Sequence, residues 1–323
     1  IAMAKLLRGA AKALLWLLLG LAASAVLYAL WSALAYRDID TVTLLEKYGA
    51  GAVRAHIDGA QISYRVDGEL GDGAPWLLLH SHYFDSLMWQ ELLAELKPEQ
   101  AVIRYDLTSH GLSGPEPSGD YSMARDVELL GGLLDHLQVE SAVLVGSSLG
   151  GNIAFHFAAQ YPERSAGLVL INSGGMKRQQ SSRRNAAAIP DWFYRVFYFV
   201  PTAAYRKFIE WMVADSAVVS DALVERFHDM FRHRGNRRAE MQRMASFDAG
   251  EPESVLAAVV APSLVVWGQQ NPQLPVALAD DFVGLLVNAP SLRLSVVDGA
   301  GHLLPVEKPA ELATLLNEFR DSL

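Results

Sequence analysis

The chain has 323 residues, 51% of them hydrophobic, with a mean hydropathy of +0.15 and a formal net charge of −9. The acidity excludes the basic footprint that a nucleic-acid partner needs, and the absence of cysteine excludes disulfides and thiolate metal sites. The length fits one α/β domain with an insertion as well as two domains, while the apolar excess points to a membrane segment.

That segment lies at the N-terminus. No charged residue occurs from Ala13 to Tyr36, and a helix of that length, rising about 1.5 Å per residue, crosses a hydrocarbon core of roughly 30 Å. Lys5, Arg8 and Lys12 precede it, and Trp16, Tyr28, Trp31 and Tyr36 fall toward its ends as interfacial anchors. The positive flank is expected to stay cytoplasmic, which places everything after Arg37 on the periplasmic or extracytoplasmic side. A cleaved signal peptide is the competing reading, since Ala33-Leu34-Ala35 has the small-x-small form. The apolar run exceeds the roughly 7–15 residues of a signal core, which favours an anchor.

Asp38 to Tyr48 has helical spacing and stops at Gly49, a short connecting helix. VRAHI and QISYRV follow, separated by Asp58-Gly59-Ala60, a hairpin signal. Strands and helices then alternate. WLLLH (76–80) precedes a helix near 86–96, and AVIRYD (101–106) precedes one near 121–137. SAVLVG (141–146) runs into a helix at 148–160, and GLVLIN (167–172) follows. Later come SLVVW (263–267), a helix near 276–287, LRLSVV (292–297) and a last helix near 309–321. Apolar strands without alternation belong to a parallel sheet covered on both faces.

The segment from Ser173 to Gly250 interrupts this pattern with helical periodicity and carries thirteen Lys/Arg against eight Asp/Glu in an otherwise acidic chain. It reads as an inserted helical cap. Its aromatic run of Trp192, Phe193, Tyr194, Phe197, Tyr198 and Phe199 fits either core packing of the cap or a substrate- or lipid-facing surface. The predicted organisation is an anchor (1–37), a connecting helix (38–52), a core in two parts (53–172 and 251–323) and the cap (173–250) between them.

The chemistry concentrates at Gly146-Ser147-Ser148-Leu149-Gly150, a Gly-x-Ser-x-Gly between a strand and a helix. In that setting the serine sits on a strained turn with its hydroxyl exposed above the sheet. A side chain at Gly146 or Gly150 would collide across the turn or with the next strand, and the helix that follows brings N–H groups and a positive dipole end to Ser148. The base follows the nucleophile in chain order, which selects His302 in Asp298-Gly299-Ala300-Gly301-His302. His56, His136, His156, His228 and His233 fall in strand or helix patterns and read as structural. Neither a metal-ligand cluster nor a phosphate-binding loop is visible, so no cofactor is expected.

From Val53 onward the chain resembles the α/β-hydrolase fold superfamily, and more narrowly bacterial membrane-anchored lipases and esterases with a helical cap. The resemblance rests on LLLHSHYFDSLMW, RYDLTSHGLSGPEPSGDYS, LVGSSLGGNIAFHFA, GNRRAEMQR and GAGHLLPVEKP. It implies Ser148 as nucleophile, His302 as base, and an oxyanion hole from the N–H groups of Leu149 and His82, acting on a small-molecule or lipid ester. Ser81 stands where relatives carry Gly, so a Cβ there is expected to narrow the approach to the oxyanion. The resemblance also places the triad acid after the strand ending in Trp267-Gly268. The position is Asn271, in a loop with Gln269, Gln270 and Gln273 and no carboxylate. Asn172, where some relatives place a relocated acid, is another amide, and Asp298 and Glu307 flank His302 in sequence, where such acids are expected to cap or brace the loop. Three outcomes stay open: a Ser–His dyad assisted by Asn271, a relocated acid, or a fold retained for binding without catalysis.

Overall fold

A computed structural model describes residues 2–97, 99–176, 198–248 and 250–323, with residues 2–6 by their backbone alone. Trp192, Phe193, Tyr194 and Phe197 of the aromatic run lie outside the described residues. The chain forms two compact units.

The first unit contains one helix, Ala2–Ala35, and residues 198–201. Its stretch Leu7–Ala35 has a mean hydropathy of 2.2 with none of its apolar window buried, long and apolar enough to cross a membrane. Three expected anchors cluster at its C-terminal end. Trp31 packs against Tyr28 at 5.9 Å and edge-on against Tyr36 at 5.5 Å, and the Tyr28 hydroxyl donates to the Phe199 carbonyl at 3.0 Å.

The second unit is built on an eight-stranded sheet. Its strands are β1 (Val53–Ile57), β2 (Ala60–Asp67), β3 (Trp76–Leu79), β4 (Val102–Asp106), β5 (Ala142–Ser147), β6 (Ser165–Ile171), β7 (Ser263–Gly268) and β8 (Leu292–Val297). The spatial order is β1-β2-β4-β3-β5-β6-β7-β8, with β2 antiparallel to both neighbours and every other pair parallel. The β1–β2 hairpin turns at Asp58 and Gly59, both at positive φ. All residues of β3, β5 and β7 are buried, as expected of strands covered on both faces. One expected element differs. The segment near 86–96 is a 3₁₀ turn, Ser86–Trp89, followed by a single turn Gln90–Leu93. Carboxylates pin its start: Asp85 accepts from the Leu87 N–H and Asp106 from the Ser86 N–H, both at 2.8 Å.

Three helices, Thr202–Met212, Asp221–Phe231 and Asn236–Ser246, lie in sequence between β6 and β7, where the cap is expected. The last is riveted to the core by Arg243. Its guanidinium forks onto both carboxylate oxygens of buried Asp126, and also donates to Ser109 Oγ at 3.0 Å and Thr108 O at 3.0 Å. Removing one partner of such a pair leaves the other charge buried without compensation. Asp126→Ala is therefore expected to lower unfolding stability by about 3–5 kcal/mol in urea titration, far more than loss of an exposed pair such as Arg293–Glu318.

Candidate active site

Ser148 stands where β5 turns into the helix Leu149–Gln160, at φ 53° and ψ −110°. This is left-handed backbone for a residue with a Cβ, and it persists only where the surroundings impose it. The surroundings are backbone. A Cβ on Gly146 would overlap the carbonyl of Gly150, and one on Gly150 would overlap the carbonyl of Leu79 on β3. The turn is stitched by Ser148 N–H to Ile171 O at 3.0 Å and by Gly174 N–H to Ser148 O at 2.9 Å.

Ser148 lines a cavity of about 260 Å³ together with His302, Leu149 and His82. All four sequence-predicted residues that would contact substrate thus meet in one place. Leu149 opens its helix, so its N–H belongs to the first turn, which has no intrahelical acceptor. The His82 ring packs edge-on against Tyr83 at 4.1 Å and His110 at 5.1 Å. Ser81 is buried, its hydroxyl pairs with Ser147 Oγ at 2.9 Å, and it is not among the cavity-lining residues.

His302 is 1% exposed, held by its own N–H on the Met212 carbonyl at 2.7 Å. Asn271, also buried, meets the ring: Asn271 Nδ2 lies 3.1 Å from His302 Nδ1. Which end of an amide faces a neighbour is decided by its other partners. Here Asn271 Oδ1 accepts the N–H groups of Gln273 and Leu274, both at 3.0 Å. Turning the amide over would set its NH₂ against those two donors, so the oxygen stays with the backbone and the NH₂ donates to the ring. Nδ1 is therefore a bare acceptor, and the ring proton sits on Nε2. A general base facing a serine needs the opposite tautomer. Burial also pushes His302 down to about 3, with no neighbouring charge among the described residues to support an imidazolium.

The candidate substitute acids are engaged elsewhere. Asp298 is bound by Gln270 Nε2 at 2.9 Å. Glu307 accepts the backbone N–H groups of Ala214, Gly301 and Leu303 at 2.7–3.0 Å and braces the loop that carries His302. Asn172 does similar work, accepting from Gly268 N–H at 2.9 Å and donating to the carbonyls of Gly301 and His302 at 3.0 Å. Among the described residues no carboxylate is hydrogen-bonded to the His302 ring.

Residues distant in sequence converge here without a motif to announce them. His82, His110 and Glu240 bring ligand-type atoms within 4.8 Å of one another. His110 is already committed at both nitrogens, Nδ1 to the Thr108 carbonyl at 3.1 Å and Nε2 to the Tyr83 N–H at 3.2 Å, which leaves the trio short of a metal ligand. Asn152, which also lines the cavity, had a legible signal. It follows Ser148 by one helical turn and so shares its face, in the mostly apolar stretch GGNIAFHFA.

Against known proteins, a family model described as alpha/beta hydrolase fold matches residues 75–309. An uncharacterized hydrolase, YugF, of Bacillus subtilis is 26% identical over 269 residues, 82% of this chain and 96% of that protein. The 2-hydroxymuconate semialdehyde hydrolase of a Pseudomonas species is 26% identical over 261 residues, 77% of this chain and 87% of that one. Among solved structures, a thermophilic esterase from Thermogutta terrifontis superposes with a TM-score of 0.68 at 25% identity, covering 84% of this chain and 98% of its own.

The tautomer is directly observable. Imidazole ¹⁵N NMR is expected to show His302 protonated at Nε2 and unchanged between about pH 5 and 8. In Asn271→Asp the proton should move to Nδ1 and the ring should titrate within that range. An Nδ1–H signal in the unsubstituted protein would refute the amide orientation.

Proposed function

The chain belongs to the α/β-hydrolase fold family, and we propose that it is a serine hydrolase of carboxylic esters, acting through an acyl-enzyme on Ser148. The observation that carries this reading is the strained backbone of Ser148, held by glycine contacts at the head of a helix and opening onto a cavity shared with His302. Strain of this kind costs on the order of 1–3 kcal/mol and marks machinery rather than packing.

In the proposed mechanism Ser148 Oγ attacks the ester carbonyl, and the N–H groups of Leu149 and His82 receive the oxyanion. His302 takes the serine proton, passes it to the leaving alcohol, and activates the water that releases the acid. The resting tautomer must first invert. That inversion costs Asn271 its two backbone hydrogen bonds, about 0.5–1.5 kcal/mol each, before any imidazolium forms. The expected enzyme is slow. The chain's likeness to a semialdehyde hydrolase leaves carbon–carbon bond hydrolysis as a competing reaction of the same residues. The orientation of Asn271 favours a second reading from another class, a binding protein that keeps the fold without turnover. The helix Ala2–Ala35 is proposed to tether the hydrolase unit to a membrane, with that unit on the extracytoplasmic side.

A fluorophosphonate probe should label the folded protein at one site, and Ser148→Ala should abolish both labelling and hydrolysis of p-nitrophenyl esters. Absence of labelling in the folded protein would decide for the binding reading. The same esters with acyl chains of increasing length would report what the cavity accepts.

A further inference from the structure

Asn152 is fully buried, lines the cavity beside Ser148, and has neither Oδ1 nor Nδ2 hydrogen-bonded. A buried amide with both ends unmade is costly, because it has surrendered water without replacement. Glycine backbone, not a side chain, packs against it. Gly175 approaches at φ +115°, and a Cβ there would come within 2.5 Å of Asn152 Oδ1 and 3.0 Å of its Cγ. On another wall Gln273 Oε1 is likewise buried without a partner. The buried, unpartnered amide atoms of the cavity lining are thus Asn152 Nδ2, Asn152 Oδ1 and Gln273 Oε1, beyond the groups assigned to the reaction.

Charge is as informative. Arg243 is the one charged side chain among the described lining residues, and it is paired with buried Asp126 while also donating to Ser109 and Thr108. His302 is neutral across the working range. Among the described residues, a carboxylate entering here would meet the oxygens of Asn152 and Gln273 and no cation that is not already paired. A plain alkyl group would leave all three amide positions unmade. A hydroxyl both donates and accepts, which is what Asn152 requires.

We propose that Asn152 is a substrate-recognition residue, and that the ester arm entering this cavity is short, uncharged and carries a hydroxyl. This assignment of substrate class rests on the ester-hydrolase reading above. It separates the chain from hydrolases of long alkyl esters and from those of carboxylate-bearing substrates.

The test measures binding, so that turnover is not needed. Butyramide, 3-hydroxybutyramide and succinamate are titrated into the full-length protein and into Asn152→Leu, with heat or ligand-observed NMR as readout. The unsubstituted protein is expected to bind 3-hydroxybutyramide about tenfold or more tightly than the other two, since a site built around a hydroxyl rejects analogues that lack it. Asn152→Leu should bring butyramide and 3-hydroxybutyramide within about twofold and raise the melting temperature, because it removes unmade polar groups. Asn152→Ala, which adds no atoms, should give the same loss of discrimination if the leucine variant folds poorly. Equal binding of the three amides, discrimination that survives both substitutions, or a lower melting temperature in both would overturn the proposal. Fluorophosphonate labelling separates the two readings. A labelled protein that fails the amide test loses only the substrate class, whereas an unlabelled protein that passes keeps the recognition site and loses the hydrolase.

Discussion

The site depends on how closely the Ser148 turn can approach the neighbouring strand. Gly150 lies against the Leu79 carbonyl, and Gly146 against Gly150, with no room for a methyl group at either. That approach lifts Ser148 out of the sheet plane, forces its positive φ, and directs the helix Leu149–Gln160 with its N-terminus beneath the reacting position. Everything placed on that helix inherits the geometry. Leu149 lines the cavity and begins the helix, and Asn152 shares the Ser148 side because it follows one turn later.

The opposite wall is organised by amides. Asn172 ties the end of β6 to the start of the β7 loop and to the loop of His302. Gln270 joins the β7 and β8 loops by accepting from Ala300 N–H at 3.1 Å and donating to Asp298. Asn271 closes the β7 loop on itself and then meets His302. As scaffolding, an amide serves as well as a carboxylate and carries no buried charge to desolvate. As a partner for a general base it differs in one respect that decides the chemistry. A carboxylate can only accept, so it fixes the ring proton on Nδ1 and supports the cation. This amide, its oxygen already occupied, can only donate.

Much of this was legible in the chain itself. Non-alternating strands such as Val143–Val145 gave away a doubly covered parallel sheet, and glycines at both flanks of Ser148 gave away the turn, because both follow from local sterics. The resemblance pointed to Asn271 as the departure. The direction of its amide was not legible, since it is set by the Gln273 and Leu274 N–H groups, a matter of loop conformation. The Arg243–Asp126 rivet and the meeting of His82, His110 and Glu240 were hidden for a related reason. Asp126 and Arg243, and Glu240 and the two histidines, lie more than a hundred residues apart, and no periodicity reports such pairs. The helix expected near 86–96 is instead a capped 3₁₀ turn and a single turn Gln90–Leu93, a shortening that periodicity does not report.

The central claim is that Asn271 holds the His302 proton on the wrong nitrogen. It is tested most directly by the second-order rate of Ser148 phosphonylation as a function of pH, in the unsubstituted protein and in Asn271→Asp. The account predicts a slow rate with no acidic limb above about pH 5 for the former, because the histidine pKa is held far below that range. It predicts a rate faster by about 10²–10⁴ for the aspartate variant, with an acidic limb returning near the ordinary histidine value as the new carboxylate restores the imidazolium. Equal rates and matching pH profiles in the two folded proteins would contradict it.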